Sequence, residues 1–132
     1  MPSKQEDQEK KLLEFQILSS QLEQYQAQLA NLQQQKLNLN NLSSSLEEIS
    51  KLKKGEEFLS PLSSGVLVKT ELKEHGEILM AVGANVMVKK KISDAEVSIK
   101  EQEKQITLFI SQLKSEAEKL AQTVYAIQQE LG

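Results

Sequence analysis

Cysteine and arginine are absent from this 132-residue chain, tryptophan is absent too, and histidine occurs once, at position 75. Each absence removes chemistry. Without Cys there are no disulfides, thiolate zinc sites, iron–sulfur clusters or thiol nucleophiles, and one His does not make the usual His-rich metal or Ser-His-Asp sites. All 16 basic residues are Lys, set against 19 acidic residues for a net charge of -3. A duplex reader wants a basic excess and the forked guanidinium of Arg, so nucleic acid is not an expected partner. Aromatic residues make up 4% of the chain, poor material for a compact enzyme core. The longest unbroken apolar run, Ile78 to Val82, is far short of the roughly 20 residues that span a bilayer. Met1 to Lys11 is polar with no apolar stretch behind it, so no secretory leader is expected and the cytoplasm is the expected compartment.

What is present falls into three zones. From about Gln5 to Lys54 there is neither Gly nor Pro, and apolar residues recur at steps of three and four: Phe15, Leu18, Leu22, Tyr25, Leu29, Leu32. That is the seam of a heptad helix. It continues through Lys36 and Leu39, after which Leu42, Leu46 and Ile49 follow in a displaced phase, which reads as a stammer. Ser3 and Glu6 have the spacing of a capping box, Lys51, Lys53 and Lys54 suit the negative end of the macrodipole, and Gly55 offers the left-handed stop.

The second helical zone spans about Ser93 to Leu131. Ser93 and Glu96 have capping-box spacing, and Ile92 and Val97 stand where a hydrophobic staple would close. Its seam reads Ile99, Gln102, Ile106, Ile110, Leu113, Ala117, Leu120, Val124, Ile127, Leu131. Between the helices, Glu56 to Ile92 is rich in Val, Leu, Met and Ile and is punctuated by Gly65, Gly76 and Gly83. Four strands are predicted, Phe58–Leu62, Val66–Leu72, Glu77–Val82 and Val86–Lys91, with Pro61 confining the first to an edge. Apolar residues fall on both faces, since Val66, Val68, Thr70 and Leu72 alternate with Leu67, and Ile78, Met80 and Val82 with Leu79.

The expected fold is therefore α+β: a long antiparallel two-helix coiled coil (5–54 and 93–131) with two β-hairpins (56–92) between the helices, in one domain covering 1–132. At 1.5 Å per residue the helices would be about 75 and 58 Å long, and the molecule elongated. Four short strands with open edges and two apolar faces do not stand alone, so oligomerisation through Phe58, Leu59, Val66, Val68, Ile78, Met80, Val82, Val86 and Val88 is expected to complete the sheet. At the other end, counting back about 39 residues from Lys54 puts Phe15 level with Leu131, with Leu12 and Leu13 beyond the partner helix. Leu12, Leu13, Phe15, Leu120, Val124, Tyr125, Ile127 and Leu131 would then gather near the chain ends. They either finish the two-helix seam or form an adhesive patch.

Helix, two hairpins, helix, with Phe58-Leu59-Ser60-Pro61-Leu62 opening the strands, Val82-Gly83-Ala84-Asn85-Val86-Met87-Val88-Lys89-Lys90 closing them and Asp94-Ala95 following, resembles prefoldin, specifically the archaeal-type alpha class. The resemblance covers nearly the whole chain and is most specific in the strands, because heptads are common. The chain differs at Ser60, where the family often carries an apolar residue, and the sequence stops at Gly132 without the polar tail that some members have. The resemblance implies a hexamer of two alpha and four beta subunits whose strands build a β-barrel platform. It also implies that unfolded polypeptides are held at the coiled-coil ends and passed to a group II chaperonin without ATP. No cofactor, metal or catalytic residue is implied.

Other candidates for chemistry are weaker. His75, in a Glu-His-Gly turn, has no second ligand at metal spacing and reads as an exposed turn residue. Lys89, Lys90 and Lys91 read as a charged strand end that discourages aggregation, or as a docking patch. Gly83 belongs to no phosphate loop. The sequence thus predicts a passive chaperone subunit; the rival from another class is a structural or tethering coiled coil with one dedicated partner.

Overall fold

A computed structural model describes residues 4–132, so the Ser3 half of the predicted capping box lies outside the described residues. A Gly- and Pro-free stretch of straight-chain residues forms α1, Lys4–Ser50. Four strands follow, β1 Glu57–Ser63, β2 Val66–Glu71, β3 Glu77–Gly83 and β4 Val86–Lys91, and then α2, Ile92–Leu131. This is the expected fold of two long helices with two β-hairpins between them. The chain forms two compact units. One takes the chain up to Leu37 together with Lys104–Gly132, and the other is Asn38–Glu103.

The strand-bearing unit, Asn38–Glu103, is built on Leu46, Ile92, Ala95 and Ile99, all buried, with Leu39, Ile49, Ile78 and Met80 packed around them. One face of the second hairpin thus closes over the helix pair. Helix α1 ends at Ser50, four residues before Lys54. The reason lies in Gly55, which adds a rung to the first hairpin instead of capping the helix. Its N–H donates to Leu72 O at 2.7 Å, and Leu72 N–H donates to Glu56 O at 3.0 Å. The chain bridges the gap with tight bonds from Lys51 N–H to Glu48 O and from Leu52 N–H to Ile49 O, the 3₁₀-type closure common at helix ends.

Each hairpin is a separate two-stranded antiparallel sheet. In the first, Phe58 faces Thr70, Ser60 faces Val68 and Pro61 faces Leu67, with a bulge between Pro61 and Ser63. In the second, Ile78 faces Lys90, Met80 faces Val88 and Ala81 faces Met87, with a bulge between Ala81 and Gly83. Ser60, the departure from an apolar residue, has a local purpose: Thr70 Oγ1 donates to Phe58 O at 2.9 Å, leaving the Ser60 hydroxyl to donate to Thr70 Oγ1 at 3.0 Å. The second turn runs through three consecutive left-handed residues, Gly83 (φ 115°), Ala84 (φ 46°) and Asn85 (φ 63°), of which Ala84 has the least intrinsic taste for that region.

Helix α2 starts directly from β4, because Ile92 N–H donates to Gly76 O at 2.8 Å at the base of the second hairpin. Ile92 is buried in the core, whereas Val97 is 59% exposed. The predicted Ile92–Val97 staple is therefore not made. The core fastens this helix end instead.

The seams also differ from the reading of apolar residues alone. In α1 the inward-turned residues continue from Leu39 to Ser43 to Leu46, and Leu42 is 43% exposed. The three-four alternation is unbroken, and the predicted stammer does not occur. In α2 the alternation backward from Ile106 lands on Glu103, which is turned inward, while Gln102 is exposed. Helix geometry, with 3.6 residues per turn, holds the register and carries a polar residue through it in each case.

Candidate functional site

Two sets of exposed apolar side chains are the candidates for function, one on each unit. On the hairpins, Leu59, Val66, Val68, Val82, Val86 and Val88 are exposed, while Phe58, Ile78 and Met80 are half-buried. Ile78 and Met80 belong to the chain's own core. Leu62, 72% exposed at the first bulge, and Leu67, Leu79 and Met87 enlarge the exposed set. The alternation of the strands put the last three on the opposite face, so the signal for them was the same period-two pattern. Neither sheet gains a third strand among the described residues. The outer backbone edges are therefore open, as is the face of the second hairpin that carries Leu79 and Met87, the condition that strand pairing or sheet packing relieves.

The unit that carries both chain ends is organised by the heptad seam. Ile110, Ala117 and Ile127 are buried in it, with Leu18, Leu22, Tyr25, Leu29, Leu113, Leu120 and Val124 half-buried. Its two helix segments run antiparallel, and Lys11 Nζ lies 3.1 Å from Glu130 Oε2. The predicted level of Phe15 with Leu131 shifts by one turn for a traceable reason. The count began at Lys54, the helix ends at Ser50, and 39 residues back from Ser50 is Lys11. Leu12 and Leu13 accordingly sit beside the last turn of α2, not past its end.

The eight residues predicted to gather there divide into two groups. Ile127 (8% exposed) is core, and Phe15, Leu120, Val124 and Leu131 are half-buried along the seam. Leu12, Leu13 (58%) and Tyr125 (63%) face outward. Ile17, Leu108 and Phe109 are exposed as well and were not singled out from the sequence; they lie off the three-four seam, which is the signal that would have found them. Phe109 also lines a shallow groove with Gln28, Leu32 and Leu113. Such a surface can adsorb apolar segments without geometry specific to any one of them.

The polar residues singled out from the sequence make local contacts. His75 Nδ1–H donates to Leu52 O at 2.9 Å, tying the inter-hairpin turn to the segment after α1. Lys89 Nζ lies 3.3 Å from Glu74 Oε1 and 3.9 Å from Glu77 Oε2. Among the described residues no three His, Cys, Asp or Glu side chains are grouped to hold a metal ion, and no helix is long and apolar enough to cross a membrane.

The family described as Prefoldin subunit matches residues 18–132. The sequence is 23% identical over 115 residues to a prefoldin subunit alpha of Thermofilum pendens, covering 87% of this chain and 89% of that one. The fold is similar to a chain in the cryo-EM structure of filamentous PFD from Methanocaldococcus jannaschii, with a TM-score of 0.72 at 19% identity, over 87% of this chain and 95% of that one.

Proposed function

The chain belongs to the prefoldin family, a family of chaperone-type subunits, and on that premise we propose that it is an alpha-class, ATP-independent holdase subunit of the cytoplasm. In this reading residues 1–132 act as one prefoldin-like domain. Its hairpins join those of other prefoldin subunits in a β-barrel platform, in a hexamer of two alpha and four beta subunits. Non-native polypeptides are captured on the coiled-coil ends and handed to a group II chaperonin. No reaction is catalysed, and no cofactor, metal, nucleic acid or membrane takes part.

The observation that supports the capture step best is the outward placement of Leu12, Leu13 and Tyr125 in the unit that carries the chain ends, where packing leaves large apolar side chains in water. Burying one such side chain is worth about 1.5–3 kcal/mol, so a few of them give weak and reversible adhesion. Several copies in one assembly multiply it through avidity while each contact can still let go. The half-buried members Phe15, Leu120, Val124 and Leu131 contribute their exposed edges, and Ile127 supports them from inside.

The test is deletion of 1–15 and 120–132 in the assembly with beta-class subunits. The expected result is an unchanged hexameric mass with loss of aggregation suppression for several unrelated unfolded proteins, with or without ATP. Loss of one partner, with no shielding of unrelated proteins by the intact chain, would instead identify a dedicated tether.

A further inference from the structure

The unit that carries both chain ends has a belt without charge. Residues 24–35 of α1 and 105–113 of α2 contain no Asp, Glu or Lys, in a chain that is 27% charged. The two stretches lie at one level. Gln28 is 17 residues on from Lys11, Leu113 is 17 residues back from Glu130, and both line the groove that holds Phe109. Leu32 and Phe109 form its apolar part, Phe109 being 56% exposed. Past Gln28 and Leu32 the groove continues to Ala27 and Asn31. Among the described residues that line it, only Glu116 is charged.

Amides stand where charges would. Gln28 and Gln35 are seven residues apart on α1, Gln105 and Gln112 are seven apart on α2, and all four are exposed. A heptad covers about 10.5 Å of helix and an extended chain advances about 3.3 Å per residue, so each wall offers an amide to every third residue of a strand laid along the groove. A side-chain amide both donates and accepts, and therefore meets a peptide N–H or C=O alike. Asn31 Oδ1 accepts from Gln35 Nε2 at 2.6 Å, a bond that spans one helix turn and steadies Asn31 in the groove wall. Such a lining selects its occupant. A docked helix has its backbone groups bonded internally and would leave the amides unmet. Nucleic acid asks for cations, and the belt has none. An unfolded polypeptide brings unbonded N–H and C=O groups with apolar side chains between them, and a neutral wall neither favours nor repels its charges.

We infer that this groove is a second capture site, which holds an extended segment of non-native polypeptide by its backbone. The amides of Gln28, Asn31 and Gln112 bond the peptide groups, and an apolar side chain of the segment rests on Leu32 and Phe109. The site lies about 24 Å along α1 from Leu12, so it is separate from the exposed residues near the chain ends. The inference deepens the holdase reading and rests on it for the identity of the ligand.

The experiment places a photo-crosslinking side chain at Ala27, and in a separate preparation at Leu13, in the full chain assembled with beta-class subunits. The probes are four unstructured peptides with the same apolar residues: one acidic, one basic, one neutral, and the neutral one with alternate backbone nitrogens methylated. At position 27 the acidic, basic and neutral peptides should give adducts in yields within about threefold of one another, unchanged between about 50 mM and about 500 mM salt. Methylation should cut that yield about tenfold or more, through the loss of two or three backbone bonds. Phe109→Ser should cut it about tenfold as well. Gln28→Glu with Gln112→Glu should make the site favour the basic peptide. Each variant is checked for unchanged helical circular dichroism. At position 13, where the contact is apolar, methylation should change the yield by less than about threefold. Adducts at 13 but not at 27, a strong preference of the parent for one charge, indifference to methylation at 27, or adducts from 27 to a second copy of the chain would each overturn the second site and leave the holdase reading standing. Adducts at 27 alone would overturn capture at the chain ends and keep this site; adducts at neither position would overturn both.

Discussion

Lys11 Nζ lies 3.1 Å from Glu130 Oε2, and this ion pair marks the level at which the two helix segments of the terminal unit run side by side. Both side chains are substantially exposed, so the pair reports alignment more than it stabilises; exposed pairs are worth about 0–1 kcal/mol. At this alignment Leu12 and Leu13 have the last turn of α2 beside them, and they are open to water because they face away from the seam.

Stability and holding should therefore separate. Leu12→Ser with Leu13→Ser is expected to change unfolding free energy by about 0.5 kcal/mol or less per site, because neither side chain is packed. Ile127→Ala, in the seam, should cost about 2–4 kcal/mol. Thermal melts monitored by circular dichroism measure both, and equal losses would contradict the division of the patch.

The strand-bearing unit gives a second contrast, between neighbours on α2. Ile99→Ala opens a cavity among Leu46, Ile92 and Ala95 and should cost about 2–5 kcal/mol. Val97→Ala, two residues away and exposed, should stay within about 0.5 kcal/mol. A large loss at Val97 in denaturant titrations would restore the staple.

The seam of α1 is tested at Ser43. Facing inward, Ser43→Leu adds apolar burial and should raise stability by about 1 kcal/mol, while Leu42→Ser should cost little. A stammer predicts the reverse order, so the two melting temperatures decide between them.

At the second turn, Ala84 holds φ at 46°, a region that disfavours a Cβ by roughly 1–2 kcal/mol. Ala84→Gly should recover part of that, with a rise of about 0.5–1 kcal/mol by denaturant titration. A destabilised Ala84→Gly would mean that the methyl group packs in the assembly.

Most of the fold was legible because its signals are periodic. Apolar steps of three and four across a Gly- and Pro-free stretch specify a helix, and alternation bounded by Gly65, Gly76 and Gly83 specifies hairpins, so the four strands lie within a residue of where they were expected. What was not legible is where periodicity meets another demand. Gly55 is a common helix stop, yet its N–H belongs to the strand pair with Leu72, and the turn lost at Ser50 moved the whole cross-helix alignment to Lys11. Ser43 and Glu103 were passed over because inward positions were sought among apolar residues, while the helix repeat carries polar ones inward as readily. Within the candidate patch the residue types were legible. Which of them face out depended on that alignment and on the seam, as Ile127 and Tyr125, two positions apart and oppositely disposed, make plain.

The most direct measurement places a photo-crosslinking side chain at Leu13 or Tyr125, and as a control at Gln102, in the assembled protein mixed with several chemically unfolded proteins in the absence of nucleotide. The account predicts adducts with every unfolded protein from positions 13 and 125, few from 102, and none with the same proteins once folded. Adducts confined to one dedicated partner, or equally abundant from all three positions, would contradict it.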